Sequence, residues 1–234
     1  ASAIYGNATG GVVAYQTISA APEAFTQSVR LQAGSFGSSK WQAISTARAG
    51  DFSGVLSVSR FQWDGFRQQS AADQRLLNFA TTWAPSERTQ LDLRFLAADN
   101  PLQQNPGALN FREYDVNPDS APANNILRSA NNDVQQQQGS LSLRQRWTKW
   151  SGELQVAVFG LTRDISNPLA TGPAGPPSVR GIYNAIDRRS GGVRASYAFR
   201  PGEDLRVPRF TVGLDYQKLR DERERIQHAM VENR

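Results

Sequence analysis

Apolar side chains return at every second position through Leu77, Phe79, Thr81 and Trp83, and again through Leu91, Leu93, Phe95 and Ala97. The same period runs through Val29, Leu31 and Ala33, through Leu141, Leu143 and Trp147, and through Leu154, Val156 and Val158. It recurs at Val193, Ala195, Tyr197 and Phe199, then at Phe210, Val212, Leu214 and Tyr216. A period of two marks a β-strand with one apolar face. The stretches 41–48 and 55–63 also read as strands, with ambiguous facing. The pattern predicts about nine strands of roughly 8–12 residues, a length that crosses a bilayer at a tilt.

The opposite faces are polar and carry Arg30 and Gln32, Asp92 and Arg94, Arg144 and Arg146, Arg194 and Arg200, and Asp215 and Gln217. In a soluble β-sandwich such faces meet water while the apolar faces meet a second sheet. In an outer-membrane barrel the apolar faces meet lipid and the polar faces line the lumen. Alternation alone fits both. The connections favour the barrel. Short links are expected at 50–53, 85–88, 148–151 and 201–208, and others, most of them longer, at 34–39, 64–73, 99–135 and 165–189. That alternation is the signature of a membrane meander with tight turns on one side and long loops on the other. Trp83, Trp147, Trp150 and Phe199 flank the short turns, as an interfacial girdle would. The Pro- and Gly-rich segment 168–177 is expected to lack regular structure. The mixed-charge run 220–225 reads as the top of a strand entering a further loop.

Composition narrows the chemistry. The 234 residues are 39% hydrophobic, with a mean hydropathy of −0.52. That is below the ~45–50% usual for globular domains. There is no cysteine, which excludes disulfides and thiolate chemistry. The single histidine, His228, has no second ligand at metal spacing. No run of eighteen apolar residues exists, so no transmembrane helix is expected. No nucleophile elbow or acid–base constellation stands out, so the chain does not read as an enzyme, and no metal or cofactor site is expected. The net charge of +5 is carried by scattered arginines, which argues against nucleic acid. Guanidinium groups on a lumen wall suit an anionic solute, because they bind carboxylate and phosphate bidentately and stay charged.

The opening run Tyr5-Gly6-Asn7-Ala8-Thr9-Gly10-Gly11-Val12-Val13 fails both nucleotide tests. No Gly-Lys-Ser/Thr follows, and a strand-like segment rather than a helix comes after the glycines. It resembles instead the close of the plug domain in TonB-dependent outer-membrane receptors. Gly34-Ser35-Phe36-Gly37-Ser38, Arg60-Phe61, Asp64-Gly65-Phe66-Arg67 with Ser70, Asn78, and the approach from Asp187 to Gly192 are also similar to that family. The likeness is strongest toward the branch holding the pyrroloquinoline-quinone importer and ferric-siderophore receptors.

The resemblance implies an all-β, antiparallel, up-and-down transmembrane barrel, with about nine of roughly 22 strands present. It implies the end of the plug at 1–20, with Tyr5, Gly6, Gly10 and Gly11 as plug–barrel hinge, a linker at 21–26, and the N-terminal part of the barrel at 27–234. The chain is then expected to be an internal fragment. The implied function is active import of a ferric siderophore or a pyrroloquinoline-quinone-like polyanion across the bacterial outer membrane. The TonB-ExbB-ExbD complex would supply the energy and lipid would surround the wall. Arg94, Arg144 and Arg194 on the lumen face, with loop residues Arg112, Arg128 and Arg180, are the candidate ligand contacts. The competing expectation is a soluble or surface β-sandwich binding module.

Overall fold

The computed structural model describes residues 23–171, 180–201 and 208–229. The expected plug end at 1–20, with Tyr5, Gly6, Gly10 and Gly11, lies outside the described residues. Nine strands run β1 (Phe25–Ala33), β2 (Ser39–Ala49), β3 (Phe52–Trp63), β4 (Ala72–Ser86), β5 (Thr89–Gln103), β6 (Asp133–Arg146), β7 (Glu153–Thr171), β8 (Arg180–Phe199) and β9 (Phe210–Ala229). Two short helices, α1 (Phe111–Val116) and α2 (Ala123–Leu127), interrupt the β5–β6 connection. No helix among the described residues is long and apolar enough to cross a membrane, which says nothing of strands. The strands form one antiparallel sheet in sequence order. A sandwich requires two facing sheets, so that expectation is removed. The fold is an up-and-down wall of barrel type.

Register explains the sequence pattern. Trp83, Thr81, Phe79 and Leu77 stand opposite Leu91, Leu93, Phe95 and Ala97. Leu141 and Leu143 then meet Val158 and Val156, which meet Val193 and Ala195, which meet Tyr216 and Leu214. The alternating residues of separate strands therefore join into one apolar belt. The ambiguous strands resolve the same way: Phe52, Leu56 and Val58 are in register with Trp83, Phe79 and Leu77.

Nothing in the described structure covers this belt. Leu31, Leu93, Val158 and Leu214 are all exposed, Leu31 by 77%. Only Val55, Ala121 and Ala130 are buried apolar residues among those described. Each large apolar side chain left in water forgoes about 1.5–3 kcal/mol of burial. With no core behind it among the described residues, this belt calls for an apolar surface or medium against it.

The other face is hollow. Thr46, Val55, Ser57 and Asp92 on it are buried. A cavity of about 700 Å³ is lined from Gln42 on β2 to Gln217 on β9, which requires the sheet to curl toward this face. At the short-turn end the belt closes in aromatics. Phe52 stacks on Trp83 at 6.0 Å, and Trp147, Tyr197, Phe199 and Phe210 follow at centroid spacings of 6.2, 5.6 and 5.8 Å. These are amphipathic or bulky rings at the level where an interfacial girdle belongs.

Three expectations need correction. The strands are longer than expected from β4 onward, reaching 20 residues in β8 and β9. The loop expected at 165–189 is strand up to Thr171 and again from Arg180, so the short–long alternation fails at the last pair of links. Cross-strand pairs such as Ile165–Ile186 and Leu169–Ile182 carry the hairpin beyond the belt. Pro168, expected to be irregular, lies in β7 opposite Tyr183. Its carbonyl accepts the Asn131 N–H at 3.2 Å on the β6 side. The missing N–H faces that same side, where β6 has stopped pairing at Ser166, so no ladder bond is lost.

Candidate functional site

The hollow face places Arg94 at mid-height, in a cross-strand row with Val55, Ala80, Ser140, Phe159 and Gln217. Gly192 occupies the position between Phe159 and Gln217. The Phe159 ring lies across it, and a Cβ there would stand 2.8 Å from Phe159 Cζ. The result is an amphipathic surface. Leu96, Phe159 and Leu161 give it apolar area, and Asn78, Gln138 and Gln217 give it hydrogen-bonding groups around Arg94.

The three inner arginines differ in their partners. Arg94 is exposed and makes no side-chain hydrogen bond or ion pair among the described residues. Arg144 lies in a small cavity of about 120 Å³ with Asp92, Gln155, Arg194 and Ser196, also without such a partner among the described residues. Asp92 in that cavity is already engaged by Thr82 Oγ1 at 2.6 Å and by Gln90 Nε2 at 2.9 Å. Arg194 differs, because its Nε and Nη2 both donate to Asp215 Oδ2, at 2.8 and 2.5 Å. Its charge is matched within the wall.

Of the loop arginines, Arg112 and Arg128 do not line either of these cavities. Arg112 stands exposed on α1. Arg128 ends α2, and its guanidinium packs over Gly181 of β8, where a Cβ would approach Arg128 Nε to 2.8 Å. Arg180 opens β8 opposite Thr171 and Ala229, and its side chain lies outside the described residues.

The structure gives a role to a residue that in the sequence stands out only within the family-like stretch 64–67. Arg67, in the β3–β4 loop, staples that loop to the β5–β6 loop. Its Nε and Nη2 donate to the Ser120 carbonyl at 3.1 and 2.9 Å, and its Nη1 donates to the Gly107 carbonyl at 3.1 Å. Gln68 N–H to the Asp119 carbonyl (2.8 Å) and Gln69 Nε2 to the Ala130 carbonyl (3.1 Å) continue the seam. Gly65 makes the bend possible: its φ is +90° and a Cβ would lie 2.0 Å from Ser70 Oγ. In α1, Asn110 and Glu113 form a reciprocal capping box. The loops at this end are thus built elements. Among the described residues no group of three His, Asp or Glu side chains is arranged to hold a metal ion.

No protein-family model matches the chain. Among solved structures it is similar to the crystal structure of the ferric citrate transporter FecA in its unliganded form. The TM-score is 0.70 at 16% identity, over 88% of this chain and 30% of that one. The chain therefore spans less than a third of that transporter's length. At this identity the likeness is one of fold alone.

Proposed function

We propose that the chain is part of a TonB-dependent receptor of the bacterial outer membrane, importing a scarce anionic solute. The observation that carries this reading is the continuous exposed apolar belt backed by a polar, arginine-bearing hollow. A wall facing lipid on one side and an aqueous lumen on the other needs that division. Among the described residues β1 and β9 are the edge strands of the sheet, and in a barrel both edges are paired by further strands, since open edges do not persist in a bilayer. The likeness to a ferric citrate transporter supports import, and it suits an iron chelate as cargo. A pyrroloquinoline-quinone-like polyanion is the other candidate. Arg94 and Arg144, lacking partners among the described residues, are the groups best placed to attract either; the TonB-ExbB-ExbD complex is the proposed energy source.

The test uses the intact gene product in cells. Membrane fractionation should place it with the outer membrane. Uptake of ferric siderophores or of the quinone should require both the gene and a working TonB. Recovery in the soluble fraction would overturn the membrane reading. Correct placement with neither ligand bound would overturn the substrate assignment alone.

A further inference from the structure

The run Arg220-Asp221-Glu222-Arg223-Glu224-Arg225 lies wholly within β9, so its side chains alternate between the two faces of the wall. Register extends this division to the neighbouring strands. Inward, one cross-strand row holds Gln136, Arg163, Arg188 and Asp221, and the next two rows toward the long loops end in Arg223 and Arg225. Outward stand Asp164, Asp187, Glu222 and Glu224. There Arg189 pairs with Asp187 and Arg220 with Glu222, which leaves the outer face acidic. The inner face is basic. Among the described side chains of β7 to β9 beyond Leu161, it sets four guanidinium groups against one carboxylate.

That carboxylate is already shared. Asp221 accepts two parallel bonds of 2.7 Å from Arg188 and a further one of 2.9 Å from Arg223. Arg163 stands directly opposite Arg188, and its Nε donates to the neutral Gln136 Oε1 at 2.6 Å. Arg225 is exposed and makes no side-chain hydrogen bond or ion pair among the described residues. Like charges directly opposite on one face destabilise a strand pair. An anion bridging Arg163 and Arg188 removes that cost. Asp221 shows what these groups accept, a carboxylate held by parallel N–H bonds. Ile165 and Ile186 lie opposite each other in the next row, which ends in Arg223, and Asn167 and Asn184 in the row of Arg225. Cations therefore flank a small apolar floor. A lone phosphate would leave that floor bare, whereas an apolar body carrying several carboxylates meets both.

We infer that this upper inner wall is a separate binding station for a polycarboxylate with a compact apolar body. It stands beyond Arg94: Arg163 follows Phe159, which shares the Arg94 row, by four residues, or about 13 Å along the strand. The inference rests on the receptor reading above and narrows its anion to a carboxylate. The intact gene product, extracted in mild detergent, is titrated by calorimetry with trimesate, a benzene ring bearing three carboxylates, and with benzoate and inorganic phosphate at equal ionic strength. Trimesate should bind at least about tenfold more tightly than either. Arg163→Gln and Arg225→Gln should each weaken trimesate about tenfold. Arg189→Gln, on the outer face, should leave it within about twofold. Arg163→Gln should lose no resistance to heat in anion-free buffer, because it removes one of two opposed cations. A lower melting midpoint for that variant would make Arg163 a structural group and overturn the inference. So would trimesate binding no tighter than benzoate or phosphate, or inner variants that match Arg189→Gln. If only Arg94→Ala weakens trimesate, this station falls and the receptor reading stands. If the protein does not fractionate with the outer membrane, both fall.

Discussion

The two halves of β8 carry different patterns on the same faces. Toward its end, Tyr197, Ala195 and Val193 point outward and Ser196 and Arg194 point into the hollow. Toward its start, Arg189 and Asp187 take the outward positions, while Ile186 and Ile182 stand inward beside Asn184 and the paired Arg188. The neighbours invert in step. On β7, Val156 and Val158 give way to Asp164 outside, and Ala157 gives way to Ile165 and Leu169 inside. On β9, Leu214 and Tyr216 give way to Arg220 and Glu222 outside. The changeover falls at the glycine row Gly139, Gly160 and Gly191. A strand has no intrinsic inside. Each face takes the polarity of what it touches, so under the proposed outer-membrane reading this change marks where the wall leaves lipid and enters water.

The most severe way to break that comparison is to place a charge in the lower half. Ala195 faces outward between Val156 and Leu214. Ala195→Arg in the intact protein should cost ~2–4 kcal/mol of stability in a bilayer, the penalty for Arg on the lipid face near the midplane. Denaturant titration of protein folded into lipid vesicles reads this directly. A cost below about 0.5 kcal/mol, the range of an ordinary surface change, would remove lipid from that face.

The loop end responds to a different lever. Arg67→Ala removes three charge-assisted hydrogen bonds that join the β3–β4 and β5–β6 loops. The seam should loosen by about 2 kcal/mol, or roughly thirtyfold in opening. Hydrogen exchange across 105–132 should rise accordingly, while strands β7 to β9 keep their protection. Unchanged exchange in that segment would show that the Gln68 and Gln69 bonds hold the loops alone.

The lower half was legible in the sequence because a strand with one apolar and one polar face alternates cleanly. Leu91 to Ala97 and Val193 to Phe199 could be paired from the period alone. The upper half was not legible. Across Gly160 and across Gly191-Gly192 the apolar phase shifts by one residue, and a shifted period reads as lost structure. Proline at 168 strengthened that misreading, since its harmless orientation depends on where β6 stops. The arginines of the hollow could be placed on one face from the pattern. Whether each had a partner could not, because the Arg194–Asp215 pair depends on the register between β8 and β9. Arg67 gave no periodic signal at all, since its role is set by the carbonyls of a loop about fifty residues later.

Within the lower half, the partners of the inner arginines sharpen the contrast. Arg94→Ala should weaken binding of an anionic ligand to the intact protein about tenfold. Arg144→Ala should act in the same direction. Arg194→Ala, which removes a cation already matched by Asp215, should leave affinity within about twofold. Calorimetric titration with ferric siderophores and with the quinone checks all three. An Arg194 effect equal to that of Arg94 would mean that the ligand displaces Asp215, and that internal pairing is no guide to the site.

The smallest expected effect closes the comparison on β8 itself. Ala185 occupies the same face as Ala195, ten residues away, between Ser166 and Glu224. At about 3.3 Å per residue the two alanines lie some 33 Å apart along the strand, which at a tilt of about 40° is about 25 Å along the membrane normal, the full height of a barrel's apolar band. Both therefore cannot sit deep in lipid. Ala185→Arg should stay within about 0.5 kcal/mol of the wild type, because the new guanidinium meets water and the Glu224 carboxylate. The same substitution on the same face of one strand then gives two results, and their difference measures the medium. Equal penalties at both positions would mean that the upper wall also lies in lipid, and that the inversion of polarity has another cause.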